Sequence, residues 1–114
     1  MSTISTHVLD TALGRPADGL ELALARQDGS GAFTELSRQS TNDDGRVKQL
    51  LPDGDTLTPG VYQMTFETGP YLDRVHGGGF YPVVPIIFKI TASDEHYHVP
   101  LLLSPYGIST YRGS

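Results

Sequence analysis

The stretch that decides the fold is His96-Tyr97-His98-Val99-Pro100-Leu101-Leu102-Leu103. Side chains alternate between the two faces of a β-strand, so every second residue points the same way. The odd-numbered positions from Tyr97 to Leu103 are all apolar, which predicts a strand with one face on a core. The even-numbered positions combine two histidines with a proline and a leucine. That second face is too polar for a core and too apolar for open solvent.

Short β-branched or aromatic runs recur on both sides of this stretch, separated by turns rich in the chain's 13 glycines and 8 prolines. This pattern is typical of many short strands rather than long helices. It predicts an all-β, two-sheet sandwich of about eight strands. The predicted strands cover residues 4–10, 20–27, 33–40, 46–50, 60–67, 83–92, 96–103 and 107–111.

One segment predicts a single short helix. Thr68 offers a cap, Pro70 stands near the first helical position, and the helix would end at the three glycines from Gly77 to Gly79. A proline at position 85 cannot donate a hydrogen bond to a neighbouring strand, so it should mark an edge strand or a bulge.

Length and composition exclude several classes of protein. The 114 residues fit a single domain over 1–114, and a formal charge of −5 disfavours nucleic acid as a partner. The lack of cysteine excludes disulfide scaffolds and thiolate zinc sites. No apolar run approaches the roughly 20 residues that cross a membrane, and the polar start shows no signal peptide. A cytoplasmic protein is therefore expected.

Strand alternation brings several chemically useful residues to one side. Ile4, Thr6 and Val8 share the natural core face of the first strand, so His7 points away from the core, as His98 does in the seventh. If the inward face of the last strand carries Ile108, Tyr111 joins the histidines. Such a mixed surface suits a pocket walled by a second subunit.

Three stretches carry a resemblance to a known family. They are Ser5-Thr6-His7-Val8-Leu9-Asp10 with Gly14-Arg15-Pro16-Ala17, Asp44-Gly45-Arg46, and residues 98–107 together with the ending Tyr111-Arg112-Gly113-Ser114. The chain resembles the 5-hydroxyisourate hydrolases, which are transthyretin-like enzymes of urate catabolism. The resemblance covers the chain from end to end. Its ending separates the hydrolases from transthyretin, the thyroid-hormone carrier of the same fold.

The resemblance implies a transthyretin-like sandwich that assembles as a homotetramer, a dimer of dimers with active sites at the dimer–dimer interface. It also implies a cyclic amide hydrolase that converts the small-molecule substrate 5-hydroxyisourate to 2-oxo-4-hydroxy-4-carboxy-5-ureidoimidazoline. Two histidines and an arginine can activate water, steady an oxyanion and supply a proton. We therefore expect no metal and no organic cofactor.

The residues matched to the family receive these roles. His98 is the general base on water and His7 assists it, or the two are reversed. Arg46 follows a turn and offers a planar fork of donors to the substrate oxygens. Tyr111 narrows the pocket and hydrogen-bonds the ligand, while Ser114 brings a hydroxyl and a terminal carboxylate close to it. The catalytic set is His7, Arg46 and His98, and the substrate-binding set is His7, Arg46, Tyr111 and Ser114.

Other interpretations stay open at this point. Taken singly, His7 or His98 is more typical of a surface strand, and Arg46 of a solvated charge. The chain is alternatively a carrier that holds a small aromatic ligand unchanged, or a sandwich domain used only for protein contacts. His96, His98 and His7 also suggest a three-histidine zinc site, although their spacing is weakly specific. His76 and His96 are otherwise expected to be surface residues.

Overall fold

A computed structural model describes residues 2–114, and over these residues it has nine strands and one helix. Their order is β1 (Thr3–Asp10), β2 (Arg15–Pro16), β3 (Glu21–Gln27), β4 (Phe33–Ser40), β5 (Arg46–Val47), β6 (Gly60–Phe66), α1 (Thr68–His76), β7 (Val84–Ile90), β8 (His96–Ser104) and β9 (Gly107–Thr110). The predicted all-β class with one short helix is confirmed.

The strands form two sheets packed face to face. The first has the order β2-β1-β8-β9, with β5 also paired to β1, and the second has the order β4-β3-β6-β7. Within these sheets only β1 and β8 are parallel, in a register that runs from Thr3 opposite His96 to Asp10 opposite Leu103. The first sheet therefore joins the two ends of the described chain.

The core lies between the sheets, as the alternation predicts. Ile4 and Val8 of β1 and Leu101 of β8 are fully buried, and Tyr62 and Phe66 of β6 close the core from the second sheet. Complete burial of such side chains contributes roughly 1.5–3 kcal/mol each. This inward packing fixes which residues of β1 and β8 remain on the outer face.

Three local predictions need correction. Strand β2 lies in a predicted turn, where Arg15 and Pro16 pair with the end of β1. Strand β5 ends at Val47 instead of residue 50. The helix cap is Glu67, without a side-chain cap bond, because the Thr68 hydroxyl donates to the Tyr81 carbonyl oxygen instead.

Other expectations for this region hold. The helix ends at Gly77, whose φ of 76° is the left-handed conformation that glycine adopts at low cost. Pro85 lies in β7, the edge strand of the second sheet, which explains why the missing backbone N–H donor is tolerated.

No helix among residues 2–114 has the length and apolar character that a membrane crossing requires.

The expected surface position of His76 is wrong. Its Nε2 atom lies 2.7 Å from Oδ2 of the fully buried Asp10, and its side chain is only 14% exposed. The Tyr71 hydroxyl donates to the same carboxylate oxygen at 2.7 Å. This Asp10–Tyr71–His76 cluster ties the end of β1 to α1, because a buried carboxylate requires hydrogen-bond partners.

Candidate active site

Strand pairing arranges the outer face of the first sheet in rows of neighbouring residues. One row contains Arg46 of β5 opposite His7 of β1, which in turn lies opposite Pro100 of β8. The next row contains Ser5 opposite His98. Paired residues project from the same face, so the two predicted histidines and the arginine share one surface.

The His98 ring is held on two sides. Ser5 Oγ lies 2.7 Å from His98 Nδ1, which is within the usual range for a hydrogen bond. On the other side Gly113 forms a bridge with His98, and a Cβ atom at Gly113 would stand 2.6 Å from His98 Cδ2. Only glycine leaves room for the imidazole in this position.

His96 lies beside His98 on the same face of β8. The two rings are nearly parallel, with an interplanar angle of 16° and centroids 6.2 Å apart. Its Nε2 atom lies 3.4 Å from Ser5 Oγ, and its Nδ1 atom contacts the Thr3 hydroxyl. The exposed side chain of His96 thus takes part in the polar surface of the site.

A tight turn places Arg46 at the start of β5. Asn42 Oδ1 accepts hydrogen bonds at 2.9 Å from the backbone N–H groups of Asp44 and Arg46. Gly45 has a φ of 73°, and a Cβ there would lie 2.5 Å from the Val8 carbonyl oxygen. The turn therefore requires glycine, and it fixes the backbone of Arg46 against β1.

Burial and positive charge favour the neutral form of both imidazoles. Desolvation and the neighbouring Arg46 lower the pKa of His7, although a backbone hydrogen bond to Asp44 opposes them. Desolvation also lowers the pKa of His98, together with the charges of Arg46, His96 and His7. A neutral imidazole at neutral pH can accept a proton, which is what a general base requires.

A cleft of about 290 Å³ opens over these rows. Its polar lining from the outer face comprises Ser5, Arg46, Lys48, His96, His98 and Ser114. His7 lies in the adjacent row, beside Arg46. The cleft thus combines guanidinium, ammonium, hydroxyl and imidazole groups, which suits a small oxygen-rich ligand.

Tyr111 lines a second cavity, of about 330 Å³, and not the polar cleft. Tyr111 is 56% exposed and lines this cavity with Phe88, Tyr97 and the other side of His98. Arg112 turns the same way, with its guanidinium 4.6 Å from the centre of the Tyr97 ring and 2.8 Å from Glu95. His98 lines both cavities.

The structure thus brings His7, Arg46, His98 and Ser114 to one surface and leaves Tyr111 beside it. Sequence reasoning missed Ser5 and Lys48 and set His96 aside. Alternation does place Ser5 on the face of His7, but its bond to His98 depends on the register between β1 and β8. Among residues 2–114, no three His, Cys, Asp or Glu side chains are grouped closely enough to hold a metal ion.

Comparison with known proteins matches the chain to one family and to its transthyretin-like fold. The HIUase/Transthyretin family model matches residues 4–113. A 5-hydroxyisourate hydrolase of Salmonella typhimurium is 45% identical over 111 residues, which is 97% of this chain and 80% of that protein.

Solved structures of three proteins also align with the chain. The 5-hydroxyisourate hydrolase of Klebsiella pneumoniae is 38% identical with a TM-score of 0.85, and the alignment covers all of both chains. An (S)-allantoin synthase is 39% identical with a TM-score of 0.87; this chain is 99% covered but spans only 44% of that protein. Sea bream transthyretin in complex with thyroxine is 25% identical with a TM-score of 0.90, over 97% of this chain and 94% of that one.

Proposed function

The chain belongs to the HIUase/Transthyretin family, and from this premise we propose that it hydrolyses 5-hydroxyisourate to 2-oxo-4-hydroxy-4-carboxy-5-ureidoimidazoline. Relatives at about 45% identity that carry the name 5-hydroxyisourate hydrolase support this activity. The observation that carries the proposal is the row of Arg46 and His7 beside the row of Ser5 and His98. Fold similarity alone does not separate an enzyme from a carrier, because transthyretin aligns equally well.

In the proposed reaction, His98 takes a proton from water and the resulting hydroxide attacks the ring carbonyl carbon. The C–N bond of the ring breaks and the leaving nitrogen takes the proton from the imidazolium. The carbonyl carbon becomes a carboxylic acid, which releases its remaining proton to solvent and leaves a carboxylate. Desolvation lowers the pKa of both His98 and His7, so either imidazole is available as a base, and we assign the role to His98 because it lines the cleft. His7, paired with Arg46, assists as the second proton carrier.

Arg46 is assigned to the substrate's oxygens and to the oxyanion of the tetrahedral intermediate. Its guanidinium is exposed at the cleft and offers several donors in one plane. Ser114 lies at the same cleft and is assigned to substrate binding. Tyr111 is assigned to the same role from the adjoining cavity, which it lines together with His98.

We further propose that the protein is a homotetramer built as a dimer of dimers, with active sites where the outer faces of the first sheets meet. Partly buried leucines on this face, Leu9 opposite Leu102, support an apolar contact there. A second subunit would wall the open cleft and exclude water from it. The cytoplasmic location stays a prediction, which fractionation of cells that express the protein would test.

The decisive experiment follows the ultraviolet decay of 5-hydroxyisourate generated in place by urate oxidase, with and without the purified protein. We expect much faster decay with the protein, and a His98→Ala variant should lose roughly 10²-fold or more of kcat/KM. An unchanged decay rate with the wild-type protein would reject the enzyme and leave the carrier. Full activity in His98→Ala would reject the assigned base but not the enzyme.

A further inference from the structure

We propose that Ser5 is a positioning residue that fixes the proton of His98 on Nδ1, and that His96 completes the same hydrogen-bond chain. The inference rests on the proposed function, in which His98 accepts a proton. Ser5 is only 7% exposed and its hydroxyl lies 2.7 Å from His98 Nδ1. A buried hydroxyl at this distance either accepts from an Nδ1–H or donates to a bare Nδ1, so its direction is coupled to which imidazole nitrogen carries the proton.

The donors and acceptors of this series of hydrogen bonds can be assigned in one consistent direction, starting from His98. If His98 Nδ1–H donates to Ser5 Oγ, the Ser5 hydroxyl is free to donate to His96 Nε2 at 3.4 Å. The Nδ1–H of His96 then donates to the Thr3 hydroxyl oxygen. In this arrangement the hydrogens on His98 Nδ1, Ser5 Oγ and His96 Nδ1 each have one acceptor.

This direction leaves His98 Nε2 unprotonated at the cleft. Within residues 2–114 the structure gives that atom no hydrogen-bond partner, and His98 lines both cavities. In the opposite direction Ser5 would donate to Nδ1, and Nε2 would carry a hydrogen and could not accept one. The proposed base therefore requires the first direction.

The same contacts stabilise the charge that catalysis creates. When His98 Nε2 takes a proton from water, the ring becomes an imidazolium whose Nδ1–H is already bonded to Ser5. Hydrogen bonds from a charged donor are stronger than neutral ones, so Ser5 favours the protonated state once it forms. Gly113 keeps the ring in place by leaving space along its Cδ2 edge.

Nuclear magnetic resonance of the full chain labelled with 15N-histidine tests the tautomer without substrate. We expect neutral wild-type His98 to carry its proton on Nδ1, and Ser5→Ala to move it toward Nε2. Thr6→Val is the matched control, because it removes a hydroxyl that bonds Val99 across the same two strands from the opposite face. This variant should leave the His98 tautomer unchanged. A wild-type His98 with its proton on Nε2 would overturn the inference whatever the activity is.

Steady-state kinetics on 5-hydroxyisourate give the second readout. Ser5→Ala should lower kcat roughly 10-fold with little change in KM, which is part of the ~10²–10⁴-fold contribution of a positioned general base. Ser5→Thr keeps a hydroxyl and should recover most of kcat. His96→Phe removes the last imidazole of the chain and should give a smaller loss than Ser5→Ala.

The two proposals fail in different ways. If wild-type protein does not accelerate the decay of 5-hydroxyisourate, the proposed function fails while the resonance experiment still decides the tautomer. If wild-type protein is active but Ser5→Ala retains full kcat, the positioning role of Ser5 is wrong and the enzyme stands. An equal loss of kcat in Ser5→Ala and Thr6→Val would also overturn the role, because it would show a general loosening of the β1–β8 pairing.

Discussion

Arg46 influences both histidines of the outer face through its charge, although only His7 is its neighbour in the strand pairing. A fixed positive charge disfavours a second positive charge nearby, and this adds to the effect of desolvation. The proposed base is therefore kept neutral by the same residue that is proposed to bind the substrate oxygens. Binding and proton transfer are coupled through this single guanidinium.

The pH dependence of kcat/KM tests that coupling. His98 acts as a base only when neutral, and its pKa is lowered from 6.5, so activity should be lost as the pH falls through a value below 6.5. Arg46→Gln removes the charge and should move this acid limb toward higher pH, besides lowering kcat/KM itself. The measurement is the pH profile from about pH 5 to pH 8. A wild-type limb at or above 6.5, or one that Arg46→Gln leaves in place, would contradict the coupling.

Gly113 gives a test of ring position. Alanine there would place a Cβ atom 2.6 Å from His98 Cδ2, so the ring must shift from its present position and its hydrogen bond with Ser5 is disturbed. We expect Gly113→Ala to lower kcat/KM by at least about 10-fold, since misplacement of about 1 Å can cost as much as 10²-fold. Gly29→Ala is the control, because a Cβ at Gly29 meets nothing within 4 Å. Equal activity of the two variants, at equal thermal stability, would show that the ring tolerates the displacement.

The predictable and unpredictable parts of the site have different physical origins. Alternation within one strand placed His7 and His98 on the outer face, because that face is set by local sequence. The bond between Ser5 and His98 depends on the register of two strands 93 residues apart, which neither strand specifies alone. The resemblance supplied Arg46. Alternation placed His96 on the face of His98, but the resemblance assigned it no role, and Lys48 carried no signal beyond its charge.

At the scale of elements, α1 is attached to β1 by the Asp10–Tyr71–His76 cluster. Burial alone would raise the pKa of Asp10, but hydrogen bonds from His76, Tyr71 and the Leu13 backbone outweigh it and keep the pKa below its ordinary value. The Asp10 carboxylate also raises the pKa of the Tyr71 hydroxyl, in addition to the effect of burial. Sequence patterns located the helix but not this attachment, because it joins residues more than 60 positions apart.

Asp10→Asn should weaken this attachment. Loss of the charge weakens two hydrogen bonds and leaves buried groups poorly paired, which costs on the order of 1–3 kcal/mol of unfolding free energy. A lowered pKa in the folded state means that the wild-type contribution is present above pH 3.8 and is lost as the pH falls through the lower folded value. Denaturant unfolding at several acidic pH values should show the difference between wild type and Asp10→Asn shrinking in that window. A difference that is constant with pH would exclude a charged Asp10.

At the scale of the whole molecule, charge is unevenly distributed. The chain carries a formal charge of −5, yet its polar cleft is lined by Arg46, Lys48 and two histidines. Composition disfavours nucleic acid as a partner, which stays a prediction, and it could not reveal this local excess of positive charge, because it does not say where the fold places Arg46 and Lys48. The family fold was predictable from the end-to-end resemblance, whereas assembly depends on surfaces between chains.

Leu102→Glu tests the proposed tetramer. The variant places a charge beside Leu9 on the outer face, where burial against another subunit would be costly. We expect wild-type protein to sediment as four chains and Leu102→Glu as a smaller species with reduced kcat/KM. Val75→Glu is the control, since it alters an exposed apolar residue of α1 away from this face. A tetrameric Leu102→Glu variant would reject the proposed interface.

The parallel pairing of β1 with β8 has a consequence for biosynthesis. On the ribosome Ser5 and His7 are made first, and His98, which pairs with Ser5, follows 93 positions after that serine, with Gly113 beside His98 made later still. The proposed catalytic site therefore cannot form until residues 98–113 have been made, and the long loop must close before the site exists. The rate at which activity returns during refolding would thus report how fast β1 pairs with β8.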